Sequence, residues 1–181
     1  LTLALLAVTA LAGTSRAENV DHELFELIYV DSQNIVLDNT APWINELGNS
    51  EHIVGGVVIA ILLGNRRHKE DGLLVGAGFA LSMGVAEGLK RWIARPRPLN
   101  PKDRRSMPSG HSTAAFSVAT VLSHRYPQKR WVFYGLAAGV AFARVYLGRH
   151  YPSDVLAGAV IGLTVPRLTL CYGKPILSLA F

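Results

Sequence analysis

The sequence predicts an all-α fold, a helical bundle of about five core helices set in a membrane, and three observations predict it. Five apolar segments, residues 53–64, 72–89, 113–123, 131–143 and 155–165, are rich in Ala, Leu and Gly and follow one another too closely for a sheet architecture. Half of the 181 residues are apolar and the mean hydropathy is +0.26. Basic clusters recur at alternate connections: Arg66, Arg67, His68 and Lys69 follow the first segment, and His124, Arg125, Lys129 and Arg130 separate the third from the fourth. Both clusters then lie on one side of an alternating bundle, which is the positive-inside pattern. No segment reaches the roughly 20 apolar residues of a lone membrane span, so hydropathy by itself also allows a soluble helical core. The loops, and Trp43, Trp92 and Trp131 at or near segment ends, favour the membrane.

Taken in chain order, residues 1–17 run apolar and end in Thr14, Ser15, Arg16 and Ala17, reading as an export signal with a small-residue cleavage site. An uncleaved anchor is the alternative. Residues 18–181 read as one domain. Within it, residues 21–49 place Phe25, Leu27, Ile28, Ile35, Leu37, Trp43 and Ile44 among acids, the pattern of one or two short amphipathic helices at an interface. The five apolar segments follow, without an internal repeat or a Gly/Ser linker.

Composition excludes several classes. One cysteine, Cys171, rules out a disulfide scaffold, and no Cys and His cluster has structural-zinc spacing. Charge is unevenly divided: residues 1–89 hold 4 basic and 11 acidic side chains, residues 90–181 hold 14 and 2. The second half therefore favours anions. Its cations are interrupted by apolar segments and form no continuous stripe, which argues against nucleic acid.

Three groups of residues carry chemistry, all at the ends of segments opposite the basic loops. Lys90 and Arg97 are seven apart, close to two helical turns, and share a face if the helix persists until Pro96 and Pro98 stop it. Taken by themselves, Lys90, Arg91, Arg95 and Arg97 read more readily as the flank of a membrane helix. Pro108, Ser109, Gly110 and His111 precede an apolar segment, so Ser109 caps it and Gly110 lets an anion approach the first-turn amides, with His111 beside it as a proton donor. Arg144, His150 and Asp154 form the third group, and Asp154 is the one acid after Asp103. A carboxylate at that spacing accepts the imidazole N–H and frees the other nitrogen as a nucleophile, unless it only caps its helix.

Together these pieces resemble the three-part signature of the type 2 phosphatidic acid phosphatase (PAP2) and vanadium haloperoxidase superfamily, closely over residues 85–165. The resemblance implies a phosphate pocket built by Lys90, Arg97, Ser109, Gly110 and Arg144, with His150 as nucleophile, Asp154 holding it, His111 as the acid, and neither metal nor cofactor. Two departures stand out. Ala143 replaces the serine that usually precedes the arginine of the third motif, and the link from Pro98 to Pro108 is short. Arg95 and Pro96 form a second Arg-Pro pair, although the spacing from Lys90 favours Arg97.

If the basic loops are cytoplasmic, all three groups face outward at the lipid headgroups of a bacterial inner membrane. The expected activity is hydrolysis of a lipid phosphomonoester or diphosphate through a phosphohistidine. Undecaprenyl diphosphate, phosphatidic acid, phosphatidylglycerol phosphate and lipid A are candidate substrates, with the bilayer and the lipid as the partners implied and no obligate protein partner evident. Lys102, Arg104 and Arg105 stand ready for a second anionic group or form a solvated charge run. Other readings are a soluble exported acid phosphatase, a vanadium haloperoxidase, or a non-catalytic anion-binding membrane protein.

Overall fold

The computed structural model describes residues 15–172. The expected signal or anchor falls largely on residues 1–14, outside the described residues. Helix α1 (Ser15–Glu26) runs into a π-helical turn (Leu27–Asp31), followed by α2 (Ile35–Glu46), α3 (Ser50–Leu63), α4 (Arg66–Ile93), α5 (Gly110–Arg125), α6 (Arg130–Tyr146) and α7 (Pro152–Cys171). A 3-10 turn at Pro127–Lys129 joins α5 to α6. The last five helices contain the five apolar segments read from the sequence. The amphipathic opening forms α1 and α2.

Local chemistry fixes the boundaries. Asn34, Asn49 and Asn65 cap α2, α3 and α4, each accepting a first-turn backbone N–H through its side chain. Helix α4 ends where Ala94 turns into the left-handed region at φ 47°, just before Pro96. Pro152 opens α7, where a missing N–H costs nothing.

Helix α5 is the hub and packs against α7, α6 and α4. Its closest neighbour is α7, and two glycines permit the approach. A Cβ at Gly158 would stand 2.5 Å from the Ser109 carbonyl oxygen, and one at Gly162 would stand 2.7 Å from the Thr113 carbonyl oxygen. This contact carries function, because it sets the N-terminus of α5 against the N-terminus of α7. The Ser109 N–H donates to the Asp154 carbonyl at 2.9 Å, tying the two together.

Among the described residues, two helices, α4 and α7, are long and apolar enough to cross a membrane, and α2 with α3 makes a third candidate if the 49° bend between them lies within one span. Ile59, Leu62 and Leu63 on α3 are 61, 69 and 82 % exposed, an apolar surface suited to lipid rather than water. Trp43, Trp92 and Trp131 are each more than two-thirds exposed near helix ends, where an indole belongs at an interface.

The alternation of the long helices brings the C-terminal ends of α4 and α6 and the N-terminal ends of α5 and α7 to one end of the bundle. Arg66, Arg67, Arg125 and Arg130 mark the other end. There a cavity of about 540 Å³ is lined by Arg66, Arg67, Glu70, His124 and Arg125, far from the three motifs.

Candidate active site

Each predicted site residue lies at that first end. Lys90 is in the last turn of α4 and only 8 % exposed; its Nζ donates to the carbonyls of Pro108 and Arg105. It thereby binds the last helical turn to the strand of chain that leads into α5. The Met107–Pro108 peptide in that stretch is cis.

Arg97 does not share a helical face with Lys90. The helix stops at Ile93, and the left-handed Ala94 redirects the chain before the arginine is reached. The shared-face expectation is corrected on this point: backbone reversal, with Arg97 N–H donating to the Asp103 carbonyl at 3.0 Å, returns the side chain to electrostatic reach of Lys90. Its Nε lies 2.8 Å from Asp103 Oδ2 as a charge contact off the N–H direction, and NH1 reaches the Arg149 carbonyl at 3.4 Å.

Ser109 caps α5 as expected, its Oγ accepting the Ser112 N–H at 3.4 Å. Gly110 begins the helix, and the position where its Cβ would stand is 3.9 Å from Lys90 Cε, an ordinary van der Waals distance that sets the lysine stem beside the first turn of α5. His111 follows, half-buried. Its backbone packs against Gly48, in the break between α2 and α3, where an added Cβ would lie 3.0 Å from the His111 carbonyl. The same break brings Glu46 within electrostatic reach of the His111 ring.

Arg144 is in the last turn of α6 and 8 % exposed. Its NH1 donates to Asn45 Oδ1 of α2 at 2.9 Å, which fixes the guanidinium plane and leaves Nε without a partner. Ala143, where the related pattern has serine, packs with Ala41 and Tyr146 in an apolar cluster.

The loop from α6 to α7 places His150. Gly148 makes the turn at φ +66°, a conformation that side chains disfavour, and a Cβ there would also strike Leu99 and Tyr29. His150 is 1 % exposed and Asp154 is fully buried. Their closest approach is Nδ1 to Oδ2 at 3.6 Å. That is an ionic distance, longer than the hydrogen bond expected from the sequence. Of the two readings of Asp154 the cap is formed, since Oδ2 accepts the Tyr151 N–H at 2.9 Å, whereas the hydrogen bond to the imidazole is not: His150 Nδ1 has no hydrogen-bond partner.

Burial strips water from the imidazolium, and Arg144 and Lys90 add repulsion; together they outweigh the attraction of Asp154 and pull the His150 pKa down to about 4. The ring is therefore neutral near pH 7, as a nucleophile must be.

Four residues in this shell were not singled out from the sequence. Ser106 Oγ donates to Asp154 Oδ2. Arg95 NH1 donates to Asp154 Oδ1 at 2.8 Å, so the arginine set aside on spacing grounds holds the carboxylate beside His150. Asn45 orients Arg144, and Asp21 pairs with Arg95. The second Arg-Pro pair was a usable signal for Arg95; nothing near Asn45 or Asp21 distinguishes them.

Among the described residues, four buried side-chain polar atoms have no hydrogen-bond partner, and three belong to this site: Arg97 Nε, Arg144 Nε and His150 Nδ1. Of the two arginines, Arg97 Nε already faces the Asp103 carboxylate, whereas the unmatched buried Nε of Arg144 suits an anionic guest.

Comparison with known proteins agrees. The family model described as the PAP2 superfamily matches residues 71–175. A decaprenylphosphoryl-5-phosphoribose phosphatase of Mycobacterium tuberculosis is 31% identical over 133 residues, covering 68% of this chain and 74% of that protein. An undecaprenyl-diphosphatase of Sulfolobus acidocaldarius is 30% identical over 161 residues, covering 82% and 76%. Among solved structures, a transmembrane PAP2-type phosphatidylglycerolphosphate phosphatase from Bacillus subtilis superposes with a TM-score of 0.80 at 28% identity, covering 97% of this chain and 94% of that one. With its three motifs gathered at one end of a membrane-spanning helical bundle, the chain belongs to the PAP2 superfamily.

Proposed function

We propose that the protein is a lipid phosphatase that cleaves a phosphomonoester or diphosphate at the membrane surface through a phosphohistidine on His150. The observation that carries the reading is the convergence of Lys90, Arg97, Arg144 and the first-turn amides of α5 beside a buried, neutral His150. The phosphoryl group enters among these cations. Lys90 and the two guanidiniums balance the charge on its three equatorial oxygens, and the Gly110 region supplies backbone N–H donors. Nε2 of His150 attacks phosphorus, forming an N–P bond while the P–O bond to the lipid breaks. Asp154 steadies the imidazole through Nδ1. Burial and the Arg144 charge hold the His111 pKa down to about 4 in the free site, and the incoming phosphate anion offsets both so that the ring takes up a proton with the substrate. It gives that proton to the departing oxygen, then takes one from the water that attacks the phosphohistidine, which returns His150 and releases inorganic phosphate.

A lipid substrate is supported by the position of the site at the end of the bundle, level with the exposed Trp43 and Trp92, and by relatives named for lipid phosphates. We place the site on the outer face of a bacterial inner membrane, because the opposite end carries Arg66, Arg67, Lys129 and Arg130. Residues 1–17 act as signal or anchor for the domain at 18–181 in this reading.

The test is release of inorganic phosphate in detergent micelles from phosphatidic acid, phosphatidylglycerol phosphate, lipid A and undecaprenyl diphosphate, with a chelator present. Turnover that is inhibited by vanadate and abolished by His150→Ala is expected. Turnover by His150→Ala, or a strict need for a divalent ion, would overturn the mechanism.

A further inference from the structure

Arg95 sits two residues beyond the end of α4 and joins three separate parts of the chain. Its NH1 donates to Asp154 Oδ1 at 2.8 Å and to Ser153 Oγ at 2.6 Å, and its NH2 donates to Asp21 Oδ2 at 2.6 Å. The guanidinium carbon lies 4.2 Å from the centre of the Tyr151 ring. Asp21, on α1, is 6 % exposed and fully engaged: Oδ1 accepts the Ser153 N–H at 2.8 Å and Oδ2 accepts the Ser153 hydroxyl at 2.6 Å. One half-buried cation thus bridges two buried carboxylates, with a terminal nitrogen turned to each.

We propose that Asp21 and Arg95 are positioning residues for phosphoryl transfer: Asp21, delivered by the N-terminal helix, holds the Arg95 guanidinium so that it fixes the Asp154 carboxylate behind His150. This rests on the His150 reading above.

The hydrogen bonds around Asp154 give the reason. Arg95 occupies Oδ1, while Ser106 and the Tyr151 N–H occupy Oδ2, the oxygen nearest to His150. With both oxygens committed, the carboxylate has one orientation available. A guanidinium makes the better clamp because its planar fork meets two carboxylates at once, which an ammonium point charge does not. The charges matter as well as the geometry. A lone Arg95 beside Asp154 would neutralise the carboxylate; Asp21 balances Arg95 and leaves the cluster with a net negative charge to steady the imidazole as it is phosphorylated. Asp21 is the one member supplied from outside the residues matched by the family model, 71–175.

A purely mechanical pin for α1 needs the Ser153 contacts but not the charge, and that difference is testable in the full chain in detergent. Asp21→Asn keeps an oxygen for the Ser153 N–H and removes the charge. Arg95→Gln removes the opposite charge, and Ser153→Ala weakens the pin without altering charge. Groups facing His150 are Asp154, Arg144 and Lys90, and those facing Arg95 are Asp154 and Asp21, so each variant changes a known balance.

The readouts are kcat, KM, vanadate inhibition, thermal midpoint and the pH dependence of phosphoenzyme formation in rapid quench. Asp21→Asn is expected to lower kcat about 10- to 100-fold, the scale of a small misplacement of a catalytic group, with vanadate inhibition unchanged. The acid limb should move to lower pH in Asp21→Asn and to higher pH in Arg95→Gln, because the first removes negative charge near His150 and the second removes positive charge. Arg95→Lys should restore part of kcat. Ser153→Ala should leave the limb in place. The proposal is overturned if Asp21→Asn leaves kcat and the limb unchanged, if activity only tracks the folded fraction, if both charge variants move the limb the same way, or if Ser153→Ala moves it too. His150→Ala, assayed alongside, reports separately on the nucleophile, since residual turnover there would defeat that reading whatever Asp21 does.

Discussion

Asp154 Oδ2 stands 3.6 Å from Nδ1 of His150, while the same oxygen accepts the Tyr151 N–H at 2.9 Å. One carboxylate therefore starts a helix and stands behind the histidine proposed to attack phosphorus. The two duties are joined by chain geometry, because His150 lies just ahead of the turn that Asp154 caps. Any change at Asp154 should register both in catalysis and in stability.

Asp154→Asn is expected to lower kcat by about 10⁴-fold, the scale found when a buried carboxylate behind a catalytic histidine becomes an amide. It also removes one of the two carboxylates that pair with Arg95, and because Asp21 still balances the guanidinium the cost stays below about 3–5 kcal/mol, that of an uncompensated buried charge. Rapid-quench phosphoenzyme yield and a thermal melt check the two effects separately. A stable variant with near-normal phosphoenzyme formation would remove Asp154 from the mechanism.

Arg144 offers the sharpest view of the phosphate pocket. Its NH1 is held by Asn45 and its Nε has no partner, so the fork is fixed in direction. Arg144→Ala should reduce kcat/KM by about 10²- to 10³-fold and weaken vanadate inhibition in parallel. Arg144→Lys should recover little, because a point charge does not reproduce two parallel donors. Equal activity in Arg144→Lys and the parent would show that charge alone suffices there.

How far the sequence was legible follows from what kind of interaction each residue makes. The five core helices were readable because apolar runs of Ala, Leu and Gly mark them directly, and Ser109 was readable as a cap because capping is local. Arg97 was assigned to the pocket for a geometric reason that fails at Ala94, whose left-handed turn has no glycine to announce it. Asp21 and Asn45 were invisible as site residues. Each meets its partner across 74 and 99 positions of chain, and no periodicity encodes a contact of that range.

Stability should depend on pH through His150. Its pKa is about 4 in the folded chain, from burial first, against about 6.5 when unfolded. Between these values the unfolded chain takes up a proton that the folded one refuses, so stability falls as pH drops from about 6.5 toward 4. The loss reaches at most roughly 3 kcal/mol. His150→Gln should remove this component, so that its melting temperature declines less steeply over that window. Parallel curves for the two proteins would mean that His150 is not held neutral by burial.

Orientation in the membrane is open to direct labelling. Cysteine reporters near Lys69 and Gln128 should be reached only from the cytoplasm, and one near Lys102 only from outside, in a variant lacking Cys171. Labelling of Lys102→Cys from the cytoplasmic side would place the catalytic end inside and would move the substrate to the inner leaflet.

The two histidines should separate by leaving group. In the proposed mechanism His150 attacks phosphorus whatever departs, so His150→Ala should be inactive toward an aryl phosphate and a lipid monophosphate alike. His111 sits on the first turn of α5, with Gly48 closing over its backbone, and in the proposed mechanism it serves only the departing oxygen and the later attack of water. Protonating an alkoxide is worth on the order of a hundredfold or more, while an acidic phenol leaves with little help. His111→Ala should therefore cut lipid turnover far more than the first, phosphorylating step on an aryl phosphate, and phosphoenzyme should build up because its hydrolysis loses a base. The aryl substrate isolates that step, since formation and breakdown of the labelled enzyme are timed separately in a quench experiment. Equal losses on both substrates, with no phosphoenzyme accumulating, would take the proton-transfer role away from His111 and leave Glu46, across the same break in the α2–α3 span, as the next group to vary.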